Sequence, residues 1–268
     1  MRRDFLTFSI GGDTLQATID SSPAARKDVG LLIVSGGNEI RSGAFAGQAG
    51  LARSVADHGY PAFRFDRRGV GDSEGSNGEY RSSEPDIRAA IAAFRKAYPS
   101  LRRIVGFGNC DGAAALMLAN GANCDALVLA NPWTFDVGNE SAVPAAAARK
   151  RYAEKLTNPS EWMRILKGKV AIRAIRDALK SSVTHSEPMS GLAQELHEVM
   201  QGFNGHKRYL VAGRDRTGLA FKSIWPERGD LHVCAAADHA FSAPEDTAWL
   251  TGQILSALHE EARELDVG

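Results

Sequence analysis

The sequence predicts an α/β fold in which a mainly parallel sheet is flanked by helices. Short, continuously apolar segments that end in glycine, such as "VGLLIVSGG", are typical of strands buried on both faces of a sheet. Amphipathic helical patterns, such as "EPDIRAAIAAFRKAYP", alternate with these segments. Because strands that alternate with helices form right-handed crossovers, the alternation predicts parallel strands.

The N-terminal part of the chain begins with a predicted β-hairpin. Two alternating runs, "FLTFSI" and "TLQATI", flank Gly11-Gly12-Asp13, and a glycine-rich turn between such runs favours a hairpin. After it, "VGLLIVSGG" predicts a buried strand. The pattern "AFAGQAGLARSVADHG" then predicts a helix that Gly59 ends.

The middle of the chain continues the alternation. "YPAFRFD" predicts a strand, and the next helical pattern has Pro85 at its start and Pro99 just past its end. "LRRIVGFG" and "CDALVLANP" predict two further strands, and a helix, "GAAALMLANG", separates them. We therefore expect each of these strands to lie parallel to its neighbours in one sheet.

The alternation stops between about Trp133 and His206, where four helical patterns follow one another without a buried strand. This interruption predicts a helical cap inserted into the core. We expect a core of residues 1–135 and 205–268, with the cap at 136–204. Strand patterns resume at "HKRYLVAGRD" and "DLHVCAAADHA", and the last predicted helix is "DTAWLTGQILSALHEEAREL".

The composition argues against several classes of protein. The chain has 268 residues with 32 basic and 32 acidic side chains, so no charge excess points to nucleic acid as a partner. Three scattered cysteines, Cys110, Cys124 and Cys234, argue against a disulfide framework and a zinc site. Without a signal-peptide pattern or a run of eighteen apolar residues, we expect no membrane insertion and a cytoplasmic location, and a homodimer stays open.

A cysteine stands between small residues at the end of a predicted strand. In Gly108-Asn109-Cys110-Asp111-Gly112 the spacing is that of a tight strand-to-helix turn that carries a nucleophile, with cysteine where serine is usual. Glycines are needed there because neighbouring side chains would collide. The helix N-terminus that follows favours a thiolate. The alternative is a small buried thiol that only fills the core.

A histidine and an aspartate follow later predicted strands. His239 lies between the strand "DLHVCAAA" and the last helix, and Asp215 follows the strand "KRYLVAG". Because open α/β sheets assemble their sites at the carboxyl ends of strands, we expect both side chains near Cys110. Asp136, after the strand "ALVLANP", is the alternative acid, and Asp215 could also be a simple turn residue. Nucleophile, acid and histidine in this order predict a catalytic triad.

Backbone N–H groups near Cys110 are candidates for an oxyanion hole. The N–H of Asp111 follows the nucleophile, and glycines after an early strand allow a second N–H, from Gly37 or Asn38, to approach a substrate. The arginine-rich run "FDRRGVGDSEG" does not match a phosphate-binding Walker A loop, because Gly-Lys-Ser/Thr does not follow.

These motifs together resemble the α/β-hydrolase superfamily, in which the Asp-x-Arg-Gly loop matched by "FDRRGVGDSEG" is structural. More narrowly, the chain resembles the exosortase A system-associated hydrolase type 1 family in the motifs "SGGNEIRSGAF", "FDRRGVGDSEG", "GNCDGAAA", "NPW", "GRDRTG" and "DHAFS". The resemblance implies an α/β-hydrolase fold in a bacterial protein associated with exopolysaccharide and protein-sorting systems. It implies no particular substrate.

The residues and the resemblance predict hydrolysis of a small-molecule acyl ester or thioester through an acyl-enzyme on Cys110. No cofactor or metal is expected. Trp133, Tyr152 and Trp162 are candidates for the wall of a substrate pocket, although such aromatics more often fill a cap core. Two alternatives stay open: an acyltransferase that uses the same triad, and a non-catalytic binding module with this fold.

Overall fold

The computed structural model describes residues 1–23, 28–136, 189–226 and 230–267. Its centre is an eight-stranded sheet with the strand order β1-β2-β4-β3-β5-β6-β7-β8. The strands are β1 Arg2–Ile10, β2 Asp13–Ser21, β3 Val29–Val34, β4 Ala62–Phe65, β5 Arg103–Asn109, β6 Ala126–Ala130, β7 His206–Ala212 and β8 Leu231–Cys234. The helices are α1 Gly47–Asp57, α2 Glu84–Ala97, α3 Asp111–Leu118, α4 Gly191–Gln201, α5 Arg216–Ile224 and α6 Pro244–Val267.

The predicted N-terminal hairpin is confirmed. β1 and β2 pair antiparallel, with Ile10 opposite Asp13, so only Gly11 and Gly12 form the loop. Both glycines have positive φ angles, 59° and 98°, and a two-residue hairpin turn favours this backbone conformation. β2 then pairs antiparallel with β4 and attaches the hairpin to the rest of the sheet.

The rest of the sheet is parallel, as the alternation predicts. β3 pairs with both β4 and β5, and Val34 lies opposite Phe65 on one side and Gly108 on the other. β6, β7 and β8 continue the parallel order. The carboxyl ends of β3, β5, β6, β7 and β8 therefore meet at one edge, where the loops that follow them can converge.

Helices cover both faces of the sheet. On one face, α2, α3, α4 and α5 contribute to a buried cluster through residues such as Phe94, Leu116, Leu196 and Phe221. On the other face, α1 and α6 contribute residues such as Val55, Ile254 and Leu258. Covering both faces explains why the parallel strands are continuously apolar in sequence. Among the described residues no helix is both long and apolar enough to cross a membrane.

The region of the predicted cap is described only in part. Its last helix, α4, packs against the core through Leu192, Leu196 and Met200, and it contacts α3. The N-cap of α4 is Ser190, whose hydroxyl accepts the N–H of Ala193. Residues 137–188 lie outside the described residues, and the division into core and cap at 136 and 204 stays a prediction.

The arginine-rich loop after β4 is built into the fold. The Asp66 carboxylate, which is fully buried, accepts hydrogen bonds from the backbone and the guanidinium of Arg41. Ser73 donates its hydroxyl to the Asp66 carbonyl at 2.8 Å, and Arg68 pairs with Asp86 at 2.6 Å. Because these charges pair within the protein, the loop supports the sheet edge next to the candidate site.

Candidate active site

Cys110 lies on a strained turn between β5 and α3. Its φ and ψ angles are 59° and −124°, which a non-glycine residue rarely adopts. A Cβ atom added at Gly108 would lie 2.6 Å from the backbone nitrogen of Ala113, and one added at Gly112 would lie 2.5 Å from the carbonyl oxygen of Val34. The helix therefore packs so closely against β3 and β5 that only glycine fits on either side of the turn. Cys110 itself is half-buried.

The structure brings His239 and Asp215 together beside Cys110. The Nδ1 atom of His239 lies 3.0 Å from Oδ2 of Asp215. The His239 ring also makes a hydrogen bond with the Cys110 side chain. Because Nδ1 faces the carboxylate, Nε2 is the ring nitrogen that faces the thiol. Three loops that follow β5, β7 and β8 thus bring the side chains of Cys110, Asp215 and His239 into one row.

The charges of Asp215 and His239 stabilise each other. The hydrogen bond with Asp215, followed by that with Cys110, raises the pKa of His239 from 6.5 to about 10 despite partial burial. Burial favours the neutral form of Asp215. However, the His239 ring and the backbone N–H groups of Gly218 and Thr217 outweigh burial, and the pKa of Asp215 lies below its usual range. The arrangement therefore favours an imidazolium next to a carboxylate over the working pH range of most enzymes.

Two other aspartates near this edge have different partners. Asp136, the alternative acid, accepts the backbone N–H groups of Gly191 and Leu192 at 3.2 and 2.9 Å, so it stabilises the start of α4. Asp238 accepts the N–H of Ser242 at 2.9 Å and shapes the loop that carries His239. Asp215 is the predicted acid that the structure brings to His239, and its carboxylate also caps α5.

The predicted oxyanion loop contacts the turn that carries Cys110. The N–H of Gly37, whose φ angle is 53°, donates to Oδ1 of Asp111, and Nη2 of Arg67 donates to the carbonyl oxygen of Gly37. Oδ1 of Asn38 accepts the amide of Asn77 at 2.6 Å. The backbone N–H of Asp111 is the first of α3, and the first N–H groups of a helix have no partner within it. One predicted oxyanion donor, Gly37, is thus engaged by the Asp111 carboxyl.

The pKa of the Asp111 carboxyl is also shifted from its usual value. Burial raises its pKa, and the opposing influences of the Arg67 guanidinium and the Gly37 N–H do not cancel this effect. Oδ2 of Asp111 lies 3.9 Å from Nη2 of Arg67. A carboxyl whose pKa is raised by burial therefore lies on the residue that follows Cys110.

The remaining cysteines differ from Cys110 in their surroundings. Cys124 is buried, and burial raises its pKa to about 12. Burial, followed by a hydrogen bond to Asp246 at 3.2 Å, also raises the pKa of Cys234. Both thiols are therefore poor nucleophiles near neutral pH.

One of the three predicted pocket residues is described. The backbone N–H of Trp133 donates to the carbonyl oxygen of Cys110 at 3.1 Å, and its ring packs at 4.8 Å from that of Phe135. The backbone of Trp133 is thus close to that of Cys110, and the Trp133 side chain packs against the core. Tyr152 and Trp162 lie outside the described residues, and a pocket wall formed by all three stays a prediction.

Three polar residues of the site were not predicted from the sequence. Arg67 holds the oxyanion loop, while Asn109 and Asn131 both donate to the backbone carbonyl of His239. Asn109 could have been noticed because it precedes Cys110. Asn131 belongs to the strand pattern "LVLANP", and its role depends on a contact over 108 positions of the chain.

A cleft of about 480 Å³ borders the site. It extends from Asn109, beside the nucleophile, to Ala240, beside His239. Its apolar lining comes from α1, β5, α6 and the segments that precede the two helices, and includes Phe45, Leu51, Phe107, Phe241 and Leu250. The cleft therefore reaches the residues that adjoin Cys110 and His239 in the sequence.

The described residues contain one group of side chains with the spacing of metal ligands, and it lies at the opposite end of the sheet. The ligand atoms of His206, Glu261 and Glu264 lie within 4.8 Å of one another. Nη1 of Arg103 is 2.8 Å from the Glu261 carboxylate and 3.3 Å from that of Glu264. Arg103 therefore already pairs with both carboxylates. The group is also separate from the site at Cys110, because it lies at the other end of the sheet.

Comparisons with known proteins agree with the geometry. The chain is similar in structure to an esterase of Pyrococcus furiosus, with 12% identity, a TM-score of 0.63 and coverage of 97% of this chain and 91% of that one. It is also similar to the thioesterase domain from the curacin biosynthetic pathway, with 12% identity, a TM-score of 0.57 and coverage of 96% and 100%. A third similar structure is the proline iminopeptidase of Mycobacterium smegmatis, with 14% identity, a TM-score of 0.58 and coverage of 96% and 100%.

At these identities the structural similarities establish the shared fold. None of the curated proteins matches the sequence significantly. The sequence model of the alpha/beta hydrolase family matches residues 31–248, which include Cys110, Asp215 and His239. With a match over most of its length, the chain belongs to the alpha/beta hydrolase family.

Proposed function

We propose that this protein hydrolyses carboxylic esters or thioesters through an acyl-enzyme on Cys110. The proposal rests mainly on the row of contacts among Cys110, His239 and Asp215 at the strand-to-helix turn. In that row His239 bonds to Cys110 and lies 3.0 Å from Asp215. A nucleophile, a base and an orienting acid in hydrogen-bond contact are the groups that acyl transfer requires.

In the first half of the proposed reaction the Cys110 thiolate attacks the carbonyl carbon. A C–S bond forms, and the electron pair of the carbonyl double bond moves to oxygen. Backbone N–H groups of Asp111 and of Gly37 or Asn38 stabilise this oxyanion. When the carbonyl re-forms, the bond to the alcohol or thiol breaks, and the leaving group takes a proton from Nε2 of His239.

In the second half, water releases the acyl group. His239, now neutral, takes one proton from water as the oxygen attacks the acyl carbon. The tetrahedral intermediate then expels the Cys110 thiolate, and a carboxylic acid leaves. The imidazolium and the thiolate are restored, so neither a cofactor nor a metal takes part. Asp215 holds the ring in the orientation that both proton transfers need.

Several observations support esters and thioesters as substrates. Two structurally similar proteins are named as an esterase and a thioesterase domain. We propose that the cleft that extends from Asn109 to Ala240 takes the acyl group. Trp133, Tyr152 and Trp162 remain proposed wall residues of the substrate pocket. The resemblance to the exosortase-associated hydrolases supports a link to bacterial exopolysaccharide systems, and the low cysteine content supports a cytoplasmic location. Both are part of the proposal.

The acyl-enzyme tests the proposal directly. The protein is mixed with a panel of aryl esters and acyl thioesters, quenched in acid, and the peptide that contains Cys110 is weighed by mass spectrometry. We expect the mass of the acyl group on Cys110, no turnover in Cys110→Ala, and full turnover in the matched control Cys234→Ala. Wild-type activity in Cys110→Ala would overturn the mechanism.

The same experiment separates the alternatives. An acyl-enzyme that persists in water and disappears only when an amine or sugar acceptor is added would identify an acyltransferase. Binding of the substrates without acylation or turnover would identify a non-catalytic binding module. A hydrolase gives free acid in water alone, at the rate at which the acyl-enzyme decays.

A further inference from the structure

The backbone carbonyl of His239 is held by two side-chain amides. Nδ2 of Asn109 donates to this oxygen at 3.0 Å, and Nδ2 of Asn131 donates to it at 3.3 Å. Asn109 is the residue before Cys110, and Asn131 follows the last residue of β6. The loop that carries the base is therefore tied to the turn that carries the nucleophile.

Asn131 also contacts the loop that carries the acid. Its Oδ1 atom accepts the backbone N–H of Ala212 at 2.8 Å, at the end of β7 and three residues before Asp215. A Cβ atom added at Gly218 would lie 2.4 Å from this Oδ1, so Asn131 packs closely against the start of α5. The N–H of Gly218 in turn donates to Oδ2 of Asp215 at 2.7 Å.

The two amides form one connected network. Nδ2 of Asn131 lies 3.1 Å from Oδ1 of Asn109. Asn131 has no solvent exposure and a positive φ angle of 43°, which asparagine tolerates better than most residues. Its backbone N–H donates to the Leu210 carbonyl at 2.8 Å, which fixes its main chain. The network thus joins the loops after β5, β6, β7 and β8 through buried and partly buried hydrogen bonds.

The loop of His239 needs such support because its strand is short. β8 has only four residues and lies at the edge of the sheet, where one neighbour holds it. The imidazole must stay aligned with both Cys110 and Asp215, and small displacements of reacting groups cost catalysis heavily. Hydrogen bonds to the carbonyl of the same residue fix the backbone from which the ring projects.

We propose that Asn109 and Asn131 are positioning residues that hold His239 in register with Cys110 and Asp215. This inference rests on the proposed function, because it assigns the network a task in the reaction of that triad. Neither amide is part of the triad. Both act through the His239 backbone, and Asn131 also holds the backbone of Ala212 in the loop before Asp215. A merely structural role would stabilise the sheet edge without influencing the reactivity of Cys110.

Two variants remove the amide donors with little change of shape. Asn109→Ala deletes the donor at a half-buried position without burying a charge. Asn131→Asp keeps the acceptor for the Ala212 N–H and the tolerance of positive φ, but places an oxygen where the donor faces the His239 carbonyl. Ile104→Ala, a core change at the other end of β5, serves as the matched control for lost stability.

The measurements are kcat and KM on one aryl ester, the melting temperature, and the alkylation rate of Cys110 by iodoacetamide as a function of pH. His239→Ala gives the reference profile for a thiol without its base. We expect both asparagine variants to lose about 10- to 100-fold in kcat with little change in KM. Their alkylation profiles should move toward that of His239→Ala, whereas Ile104→Ala should lower only the melting temperature.

The outcomes separate this inference from the proposed function. If His239→Ala alters the alkylation profile but a folded Asn109→Ala keeps the wild-type profile and kcat, the positioning role is wrong and the triad stands. If His239→Ala itself leaves the alkylation profile and turnover unchanged, the proposed function fails. Should Asn131→Asp not fold, Asn109→Ala decides the question alone, because its amide is the nearer donor to the His239 carbonyl.

Discussion

Replacing Asp215 by asparagine separates two tasks of one carboxylate. Oδ2 of Asp215 accepts the N–H of Gly218 at 2.7 Å as the N-cap of α5, and it also lies 3.0 Å from Nδ1 of His239. Asparagine caps helices about as well as aspartate, so α5 should keep its start in Asp215→Asn. The amide carries no charge, however, so the imidazolium loses its counter-ion, while the amide oxygen that keeps the cap still faces Nδ1.

The size of the effect follows from the titration of His239. The bond to Asp215 is the largest of the influences that raise the pKa of His239 from 6.5 to about 10. Because an anion favours the charged ring, its loss should move the pKa back toward 6.5. The ring then loses its proton at a lower pH, and the high-pH limb of kcat should shift downward. Because proton transfer by His239 is weakened, we expect kcat to fall by roughly 10²-fold.

Steady-state rates on an aryl ester between pH 5 and 10.5, together with melting curves, test this expectation. Asp215→Ala removes the cap as well. Its free energy of unfolding should be about 1 kcal/mol lower than that of Asp215→Asn, and its melting temperature should be lower too. Asp136→Asn is the matched control, since Asp136 holds only the start of α4 among the described contacts. A kcat for Asp215→Asn close to wild type, or a severe loss in Asp136→Asn, would refute the assignment of the acid.

Three further predictions concern the turn and its surroundings. Iodoacetamide near pH 7.5 should label Cys110 well before Cys124 or Cys234, whose pKa values are raised; peptide mapping that finds Cys234 labelled first would contradict this. Cys110→Ser should fold normally and turn over an activated ester at a clearly reduced rate, because a hydroxyl depends wholly on His239 for its deprotonation; a rate equal to wild type in steady-state kinetics would count against a site adapted to sulfur. In Gly36→Ala, the new Cβ would lie 2.7 Å from Oδ1 of Asp111 and 2.8 Å from the carbonyl oxygen of Asn109. We therefore expect kcat and the melting temperature to fall. Unchanged values of both would show that the loop can move to accept the methyl group.

The parts of the fold that local patterns govern were predictable from the sequence. The hairpin follows from the two glycines at the turn, and the helix α2 follows from Pro85 at its start and the apolar face that ends near Phe94. The helix α4 shows the limit of such patterns. Its sequence predicts a helix, but the contacts of Leu196 with the core depend on the path of the chain before it.

The candidate site also has a part that local patterns predict and a part that they do not. Cys110, Asp215 and His239 each follow a recognisable strand, and parallel strands bring such positions to one edge, so their proximity was predictable. The hydrogen bond between the Gly37 N–H and the Asp111 carboxyl was not. It depends on a close approach of two loops 74 positions apart, which no periodicity encodes.

That contact bears on how the proposed oxyanion hole works. A loop that offers N–H groups to a substrate would leave them to water in the unliganded protein, since Gly37 is exposed. Here the Asp111 carboxyl accepts the N–H of Gly37, while Arg67 holds the carbonyl of the same residue from the other side. The loop is therefore fixed before a substrate arrives, which is the preorganisation that oxyanion stabilisation needs. If Gly37 is the donor, turnover exchanges its bond to the carboxyl for a bond to the oxyanion. Burial raises the pKa of Asp111, so the charged form that accepts the Gly37 N–H is less favoured than in an exposed carboxylate.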